Sequence, residues 1–323
     1  MSGPIRASRT IVADYERLFV NRGAYTLQSF RPNPDSGRHY YFRPKAKGTG
    51  RELTLTPRSI RRHLEGELTI GLYAINPATQ RSKWVAIDAD NAGAMEDLLK
   101  LQYFLQQDQV QAALEMSCRG GHLWIFMEKP ALARDCRIYI YDLALRLGLH
   151  IKGFGLADGI EVFPKHDELR PGEFGNAIRG PLGIHRGVNR RYWFYGADYD
   201  LEKQIEYLNR LRKLSEDQLH SFIAGKVMPP EFARKRSPVD QPPPLFHTSG
   251  REFRILEHVG KVRRVGRNYV TQCPSCAEAG QDRSGDNLAI SIDDPRKYLC
   301  WAGCSKEMIR KAVGCPIPAR QSA

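Results

Sequence analysis

A chain of 323 residues exceeds one small domain and has room for a catalytic unit with an accessory module. Its 49 Lys and Arg against 36 Asp and Glu give a net charge of +13, which favours a polyanionic partner, nucleic acid first, although a merely solvated basic surface has the same composition. No stretch approaches the roughly 20 apolar residues of a membrane span, Met1 to Thr10 lacks a signal-peptide core, and the 7 cysteines are odd in number. Spanning and disulfide-framework classes are therefore set aside for a soluble, cytoplasmic, nucleoid-associated protein.

Residues 10 to 20 read as a short helix. Arg31, Arg38, His39, Arg43, Lys45, Lys47 and Arg51 then interleave with Phe30, Tyr40, Tyr41 and Phe42. That mixture can hold phosphates while stacking bases, and it equally suits an ordinary strand. Thr56-Pro57 is an N-cap and first helical position, and Gly66 closes a helix over Arg58 to Glu65. Leu68 to Ile75 predicts a strand, Asn76-Pro77 a turn, and Lys83 to Ala89 a second strand pairing antiparallel with the first.

The second strand runs Trp84-Val85-Ala86-Ile87-Asp88-Ala89-Asp90. Strand side chains alternate, so Asp88 and Asp90 are aimed at one face. Like charges so close repel unless a cation lies between them, which makes the pair a candidate metal site. Asn91 and Gly93 follow, so the same residues also suit a strand running out into a solvated turn.

Residues 94 to 107 predict a helix with Met95, Leu98, Leu99, Leu101, Phe104 and Leu105 on a broad apolar face. Ala112 to Met116 and Leu123 to Met127 are strands flanking Ser117-Cys118-Arg119-Gly120-Gly121-His122. Glycines there let backbone N–H groups approach a ligand, and Arg119 and His122 add positive donors suited to a triphosphate. A plain hairpin turn with a locally bonded His has the same residues. A helix over about 131 to 148 and a strand over Gly159 to Phe163 follow. Glu161 on that strand either joins the acids or salt-bridges across the sheet. If neighbouring strands bring Asp88, Asp90, His122 and Glu161 together, their carboxylates can hold two Mg²⁺ or Mn²⁺ ions roughly 3.5 to 4 Å apart.

The short connections favour hairpins, and so an α+β fold with a mainly antiparallel sheet and flanking helices. From about residue 200 the pattern is helical, with Leu201, Ile205, Leu208 and Leu211 on one face and a capping box at Ser215 to Gln218. Ser237 to Gly250, with Pro242-Pro243-Pro244, reads as a semi-rigid linker. Beyond it, Cys273-Pro274-Ser275-Cys276 and Cys300-Trp301-Ala302-Gly303-Cys304 place two thiolates on each of two knuckles, a closed structural Zn²⁺ site. A redox CxxC is the rival, weakened by the second pair and by the lack of a βαβ pattern. Cys315 is spare, and Lys261, Arg263, Arg264 and Arg267 give the module a basic approach.

Together these stretches resemble the archaeo-eukaryotic primase superfamily over roughly residues 10 to 200. Val85 to Asp90 looks like its first catalytic motif, Ser117 to His122 like the second and Ile160-Glu161-Val162 like the third, where many relatives have Asp. Leu55 to Tyr73 and Phe163-Pro164-Lys165 through Pro181-Leu182 look like mobile-element and defence-associated members. The resemblance implies an RRM-like catalytic sheet on which Asp88, Asp90 and Glu161 ligate two Mg²⁺ or Mn²⁺ ions. It implies that Ser117, Arg119, Gly121 and His122 hold the incoming nucleotide, His122 also acting in catalysis, with Lys165 and Arg179 as further phosphate or template contacts. The cysteine module is similar in part to the zinc ribbons of bacterial replicative primases, which implies template binding with one Zn²⁺ on Cys273, Cys276, Cys300 and Cys304.

The expected organisation is a catalytic domain over 1–200, a helical extension over 201–236, the linker over 237–250 and the zinc module over 251–323. The expected function is template-dependent primer synthesis or strand extension from nucleoside triphosphates, with pyrophosphate release. Single-stranded DNA is the expected template, with RNA as the alternative. A replicative helicase or other replication and defence proteins are candidate partners. A catalytically silent nucleic-acid-binding or replication-initiation protein on the same fold is the main rival. A DxD nucleotide-sugar transferase is a second, and it leaves the cysteines and the charge unexplained.

Overall fold

Ser8 opens α1 (Arg9–Phe19) by accepting a hydrogen bond from the Ile11 N–H, and Ile11, Val12, Tyr15, Leu18 and Phe19 form its buried stripe. β1 (Tyr25–Gln28) and β2 (Tyr41–Phe42) follow, and then α2 (Pro57–Leu64), which begins where the Thr56-Pro57 pair predicts. The chain continues through β3 (Ile70–Tyr73), β4 (Arg81–Ala89), α3 (Ala94–Gln107), β5 (Ala112–Met116), β6 (Gly121–Leu132), α4 (Ala133–Arg146) and β7 (Glu161–Phe163). β8 (Ala177–Arg179), the short pair β9 (Ile184–His185) and β10 (Arg190–Arg191), α5 (Leu201–Arg210) and α6 (Glu216–Ile223) come next, the last with its Ser215–Gln218 capping box formed. Near the C-terminus lie β11 (Arg263–Val265), β12 (Asn268–Thr271), α7 (Pro274–Glu278), β13 (Leu288–Ser291), β14 (Tyr298–Cys300) and α8 (Lys306–Ala312).

The structure, a computed structural model, describes residues 5–34, 36–91, 93–152, 159–229, 232, 253–266, 268–282 and 284–317. The segment read as a linker, 237–250, and Arg267 lie outside the described residues. The chain divides into two units, one of Met1–Ile151 with Asp158–Arg234 and one of Lys152–Ala157 with Lys235–Ala323. No helix among the described residues is long and apolar enough to cross a membrane.

In the first unit, β4-α3-β5-β6-α4-β7 is a βαββαβ run whose sheet order is β5-β6-β4-β7, every pair antiparallel. The α+β architecture with an RRM-like antiparallel sheet is thus the one that forms. A second sheet, β2-β1-β3-β8, is also antiparallel throughout. The hairpin expected between β3 and β4 does not form. Each strand has its edges taken by other partners, β1 and β8 for β3 and β6 and β7 for β4, so the turn retains a single bridge, Asn76 to Arg81.

β4 is buried on both faces. Trp84 and Ala86 join α1, the β2-β1-β3-β8 sheet and α5 in one core, while Val85, Ile87 and Ala89 join α3, α4 and α6 in another. The Trp84 indole N–H, with no water to meet, donates to the Phe19 carbonyl at 2.8 Å. The strand opens to half-exposed positions near its start, at Arg81 and Lys83, and toward its C-terminal end at Asp88.

His63, on α2, is wholly buried. Its Nε2–H donates to the Pro181 carbonyl at 3.0 Å and its Nδ1 accepts from the Ile70 N–H at 3.3 Å, so the neutral ring satisfies both nitrogens. Burial lowers its pKa from 6.5 to about 3. The unfolded chain binds a proton there that the folded chain refuses, so stability is complete above about pH 6.5 and is lost as pH falls toward 3. That loss should amount to up to about 1.4 kcal/mol per pH unit from this residue. Urea denaturation of wild type and His63→Gln between about pH 7 and pH 5 measures it, and the variant should show the shallower pH dependence.

Candidate functional site

The register of β4 brings the separated acidic and basic residues together. Asp88 lies opposite His122 of β6 on one side and opposite Glu161 of β7 on the other. Its Oδ1 is 3.4 Å from His122 Nε2. Asp90, two residues on, accepts from the Arg119 guanidinium, and Glu161 accepts from the Lys165 ammonium. Burial raises the Asp88 pKa; His122 opposes this, and Glu161 and Asp90 add to it. Three carboxylates on one sheet end thus share one electrostatic problem, and cations of the protein meet it at two of them. The oxygen donors suit hard divalent cations, which Asp90 and Glu161 would take in exchange for Arg119 and Lys165.

The turn before His122 is built against that end of β4. The Ser117 N–H donates to the Gly120 carbonyl at 2.9 Å. A Cβ on Gly120 would stand 2.2 Å from the Ala89 carbonyl oxygen, and one on Gly121 2.8 Å from the Glu115 carbonyl oxygen. Glycine is required at both positions for the turn to lie so close to the acids. Arg119 projects from it with its side chain 73% exposed, while Lys165 sits beside the Phe163 ring at 4.7 Å.

Arg179, read from the sequence as a phosphate or template contact, is instead buried, and its guanidinium donates to Glu115 at 2.7 Å. The position on β8, paired with Gly71 of β3, points it into the protein and away from solvent. Glu115 itself went unremarked in the sequence, where the one signal was an acid inside the otherwise apolar strand Ala112 to Met116. His185 was passed over as well. Burial lowers its pKa, and Arg179, His39 and Arg119 add to the effect, which places it in the same positive field.

The basic, aromatic segment forms part of the first unit's second sheet. Phe30, Tyr40, Tyr41 and Phe42 are all exposed, and β2 pairs with β1. The Arg186 guanidinium lies 4.4 Å from the Phe30 ring centre, and Arg43 lies 4.0 Å from that of Phe174. Tyr41 rests over Gly71, where a Cβ would come within 3.4 Å of its ring.

In the second unit, a sheet of order β11-β12-β13-β14 carries the cysteines. Cys273 is the N-cap of α7, Cys276 lies in it, Cys300 ends β14 and Cys304 precedes α8. Their sulfurs all lie within 4.8 Å of one another, with Cys276 Sγ 3.3 Å from Cys304 Sγ and 3.6 Å from Cys300 Sγ. Four thiolates at 2.3 Å from a tetrahedral Zn²⁺ would stand about 3.8 Å apart, so the set fits that ion. Asp282 fixes the approach by accepting from the Cys273 N–H at 2.7 Å and from the Asp286 and Asn287 N–H groups. A hydrogen bond from Cys273 lowers the Cys300 thiol to about 5, the same bond pushes Cys273 up, and burial pushes Cys276 up to about 12. A full set of thiolates there needs a cation.

Residues 38–222, more than half of the chain, match the family model described as the archaeo-eukaryotic primase domain of the TOTE conflict system. No curated protein matches. Among solved structures, the polymerase domain of Mycobacterium tuberculosis Ligase D in complex with DNA is matched at 11% identity and a TM-score of 0.26, over 67% of this chain and 87% of that one. The catalytic domain of primase Repb' in complex with initiator DNA is matched at 11% identity and a TM-score of 0.32, over 64% of this chain and 98% of that one.

Because Gly120 meets backbone and not a yielding side chain, Gly120→Ala should cost about 1 to 3 kcal/mol of stability. Chemical denaturation measures the loss, and an unchanged midpoint would mean that the turn does not lie against β4 as described.

Proposed function

We propose a function from one premise: the chain belongs to the family of archaeo-eukaryotic primase domains of TOTE conflict systems. It is a template-dependent primase or primase-polymerase. The observation that carries this reading is the register placing Asp88 between His122 and Glu161.

In the proposed reaction, a 3'-hydroxyl, or the hydroxyl of an initiating nucleotide, attacks the α-phosphate of an incoming nucleoside triphosphate. A new phosphodiester bond forms, the bond to the β-phosphate breaks, and pyrophosphate leaves. Asp88, Asp90 and Glu161 would hold Mg²⁺ or Mn²⁺, whose Lewis acidity activates the hydroxyl and offsets charge on the leaving oxygens. Ser117, Gly121 and the backbone of their turn receive the phosphates, and His122 donates to them from the buried side of the site. Arg119 and Lys165 neutralise Asp90 and Glu161 before substrate arrives and are then free to meet phosphate oxygens. Single-stranded DNA, or RNA in its place, runs over the exposed Phe30, Tyr40 and Phe42, whose rings stack bases, with Arg186 beside Phe30 and Arg43 beside Phe174. The cysteine module binds one structural Zn²⁺ and adds template affinity through Arg263 and Arg264.

The two internal ion pairs favour a second reading. With Asp90 and Glu161 already paired to Arg119 and Lys165, the same fold can serve a catalytically silent nucleic-acid-binding or replication-initiation protein.

Incubating the purified chain with single-stranded template, labelled nucleotides and Mn²⁺ or Mg²⁺ separates the readings. Asp88→Ala and Asp90→Ala should each abolish incorporation while leaving folding and DNA binding nearly intact; undiminished incorporation by the variants excludes the proposed chemistry, and none by wild type favours the silent protein. Metal analysis should find about one zinc per chain. Cys273→Ser or Cys300→Ser should release it and weaken template binding before single-nucleotide transfer is lost.

A further inference from the structure

We propose that Glu115 is a positioning residue of the site: paired with Arg179, it anchors His122 through Nδ1–H and so aims Nε2 at Asp88 and at the phosphates of a bound nucleotide, acceptors that Nε2 meets by carrying a hydrogen of its own. This role rests on the primase-polymerase reading for the identity of the ligand only.

β5 and β6 pair with Glu115 opposite His122 and Ala113 opposite Trp124. The Glu115 side chain is wholly excluded from solvent. It accepts from His122 Nδ1 at 2.7 Å and from Trp124 Nε1 at 3.2 Å on one oxygen, and from Arg179 at 2.7 Å on the other. Arg and Trp can only donate, so both oxygens of Glu115 accept, and the Arg179 guanidinium against one of them favours the ionised form. Burial alone would raise the Glu115 pKa, but Arg179 and His122 outweigh it and leave the carboxyl below its usual range. An ionised carboxylate has only acceptors, so the His122 nitrogen facing it carries the hydrogen. The other nitrogen is left for the site, where it stands 3.4 Å from Asp88.

A stabilising role is a weak account of this cluster. Taking two charges out of water costs about what their attraction returns, and buried pairs can often be replaced by apolar residues without loss. Ala113 and Leu114 show that the same strand accommodates apolar side chains. What the charged set supplies, and an apolar one could not, is an anchored Nδ1–H and a fixed ring direction for His122.

The test uses the full-length chain. Ring ¹⁵N shifts of His122, assigned by their loss in His122→Gln, should show hydrogen on Nδ1 in the wild type and a changed pattern in Glu115→Gln. Calorimetric affinity for ATP with Mg²⁺, measured well below the lowered melting temperature that stranding Arg179 entails, should fall about tenfold in Glu115→Gln. Glu115→Asp keeps a charge for Arg179 but withdraws from His122, and it should lose affinity as well. A neutral His122 with hydrogen only on Nε2 in the wild type overturns the proposal, and so does ATP affinity within about twofold of wild type in both variants. Should Glu115→Gln fail to fold, the wild-type ring shifts and Glu115→Asp still decide. If wild-type protein shows the expected shifts and ATP affinities but incorporates no nucleotide, the polymerase reading falls and the role of Glu115 stands.

Discussion

The interior position of β4 governs the first unit. A strand with hydrogen-bonded neighbours on both edges and apolar cores on both faces meets solvent near its ends, at Arg81 and Lys83 on one side and at Asp88 on the other, where the sequence changes from Val85-Ala86-Ile87 to acids. The same two neighbours that bury the strand deliver His122 and Glu161 to Asp88. The site is therefore a by-product of register: a one-residue slip on either edge would turn the opposing side chain to the other face. The turn can lie close because Gly120 and Gly121 bring no Cβ against the Ala89 and Glu115 carbonyls.

Charge is organised in depth around this end. At the mouth, Arg119 and Lys165 lie on exposed or half-exposed stems and engage Asp90 and Glu161, pairs that water weakens and that a stronger ligand can displace. Beneath, Glu115 and Arg179 are sealed from solvent, and breaking one partner would strand the other. Exchangeable charges thus sit over fixed ones, with His122 held by Glu115 at Nδ1 and facing Asp88 at Nε2.

Features that depend on local spacing were legible in the sequence. The Asp88 and Asp90 alternation, the glycine turn, the two cysteine knuckles, the Ser215 capping box and the helix over residues 94 to 107 all rest on neighbours a few positions apart, and each has the expected local form. What depended on pairing was not legible. The β3–β4 hairpin was expected because a turn separates two strands, but one partner of each, β8 for β3 and β7 for β4, comes from residues 161 to 179, far along the chain. For Arg179 the family resemblance implied a phosphate or template contact; its burial is tied to a Glu that lies 64 residues away. Glu115 carried too faint a signal, one acid in a short apolar strand, for its role to be seen before His122 was placed opposite it.

The distance between paired strands also has a consequence in time. β4 can find β6 soon after both are made, since only α3 and β5 intervene, but its other edge must wait for β7, and β3 must wait for β8. Until residues 161 to 163 emerge, a nascent chain carries Asp88 and His122 without Glu161 and leaves the Ala86-Ile87-Asp88 edge unpaired. Such an edge is open to pairing with another chain, and contacts so distant in sequence form slowly. The last strand to join the RRM-like sheet both completes the acidic centre and closes the edge most prone to aggregation.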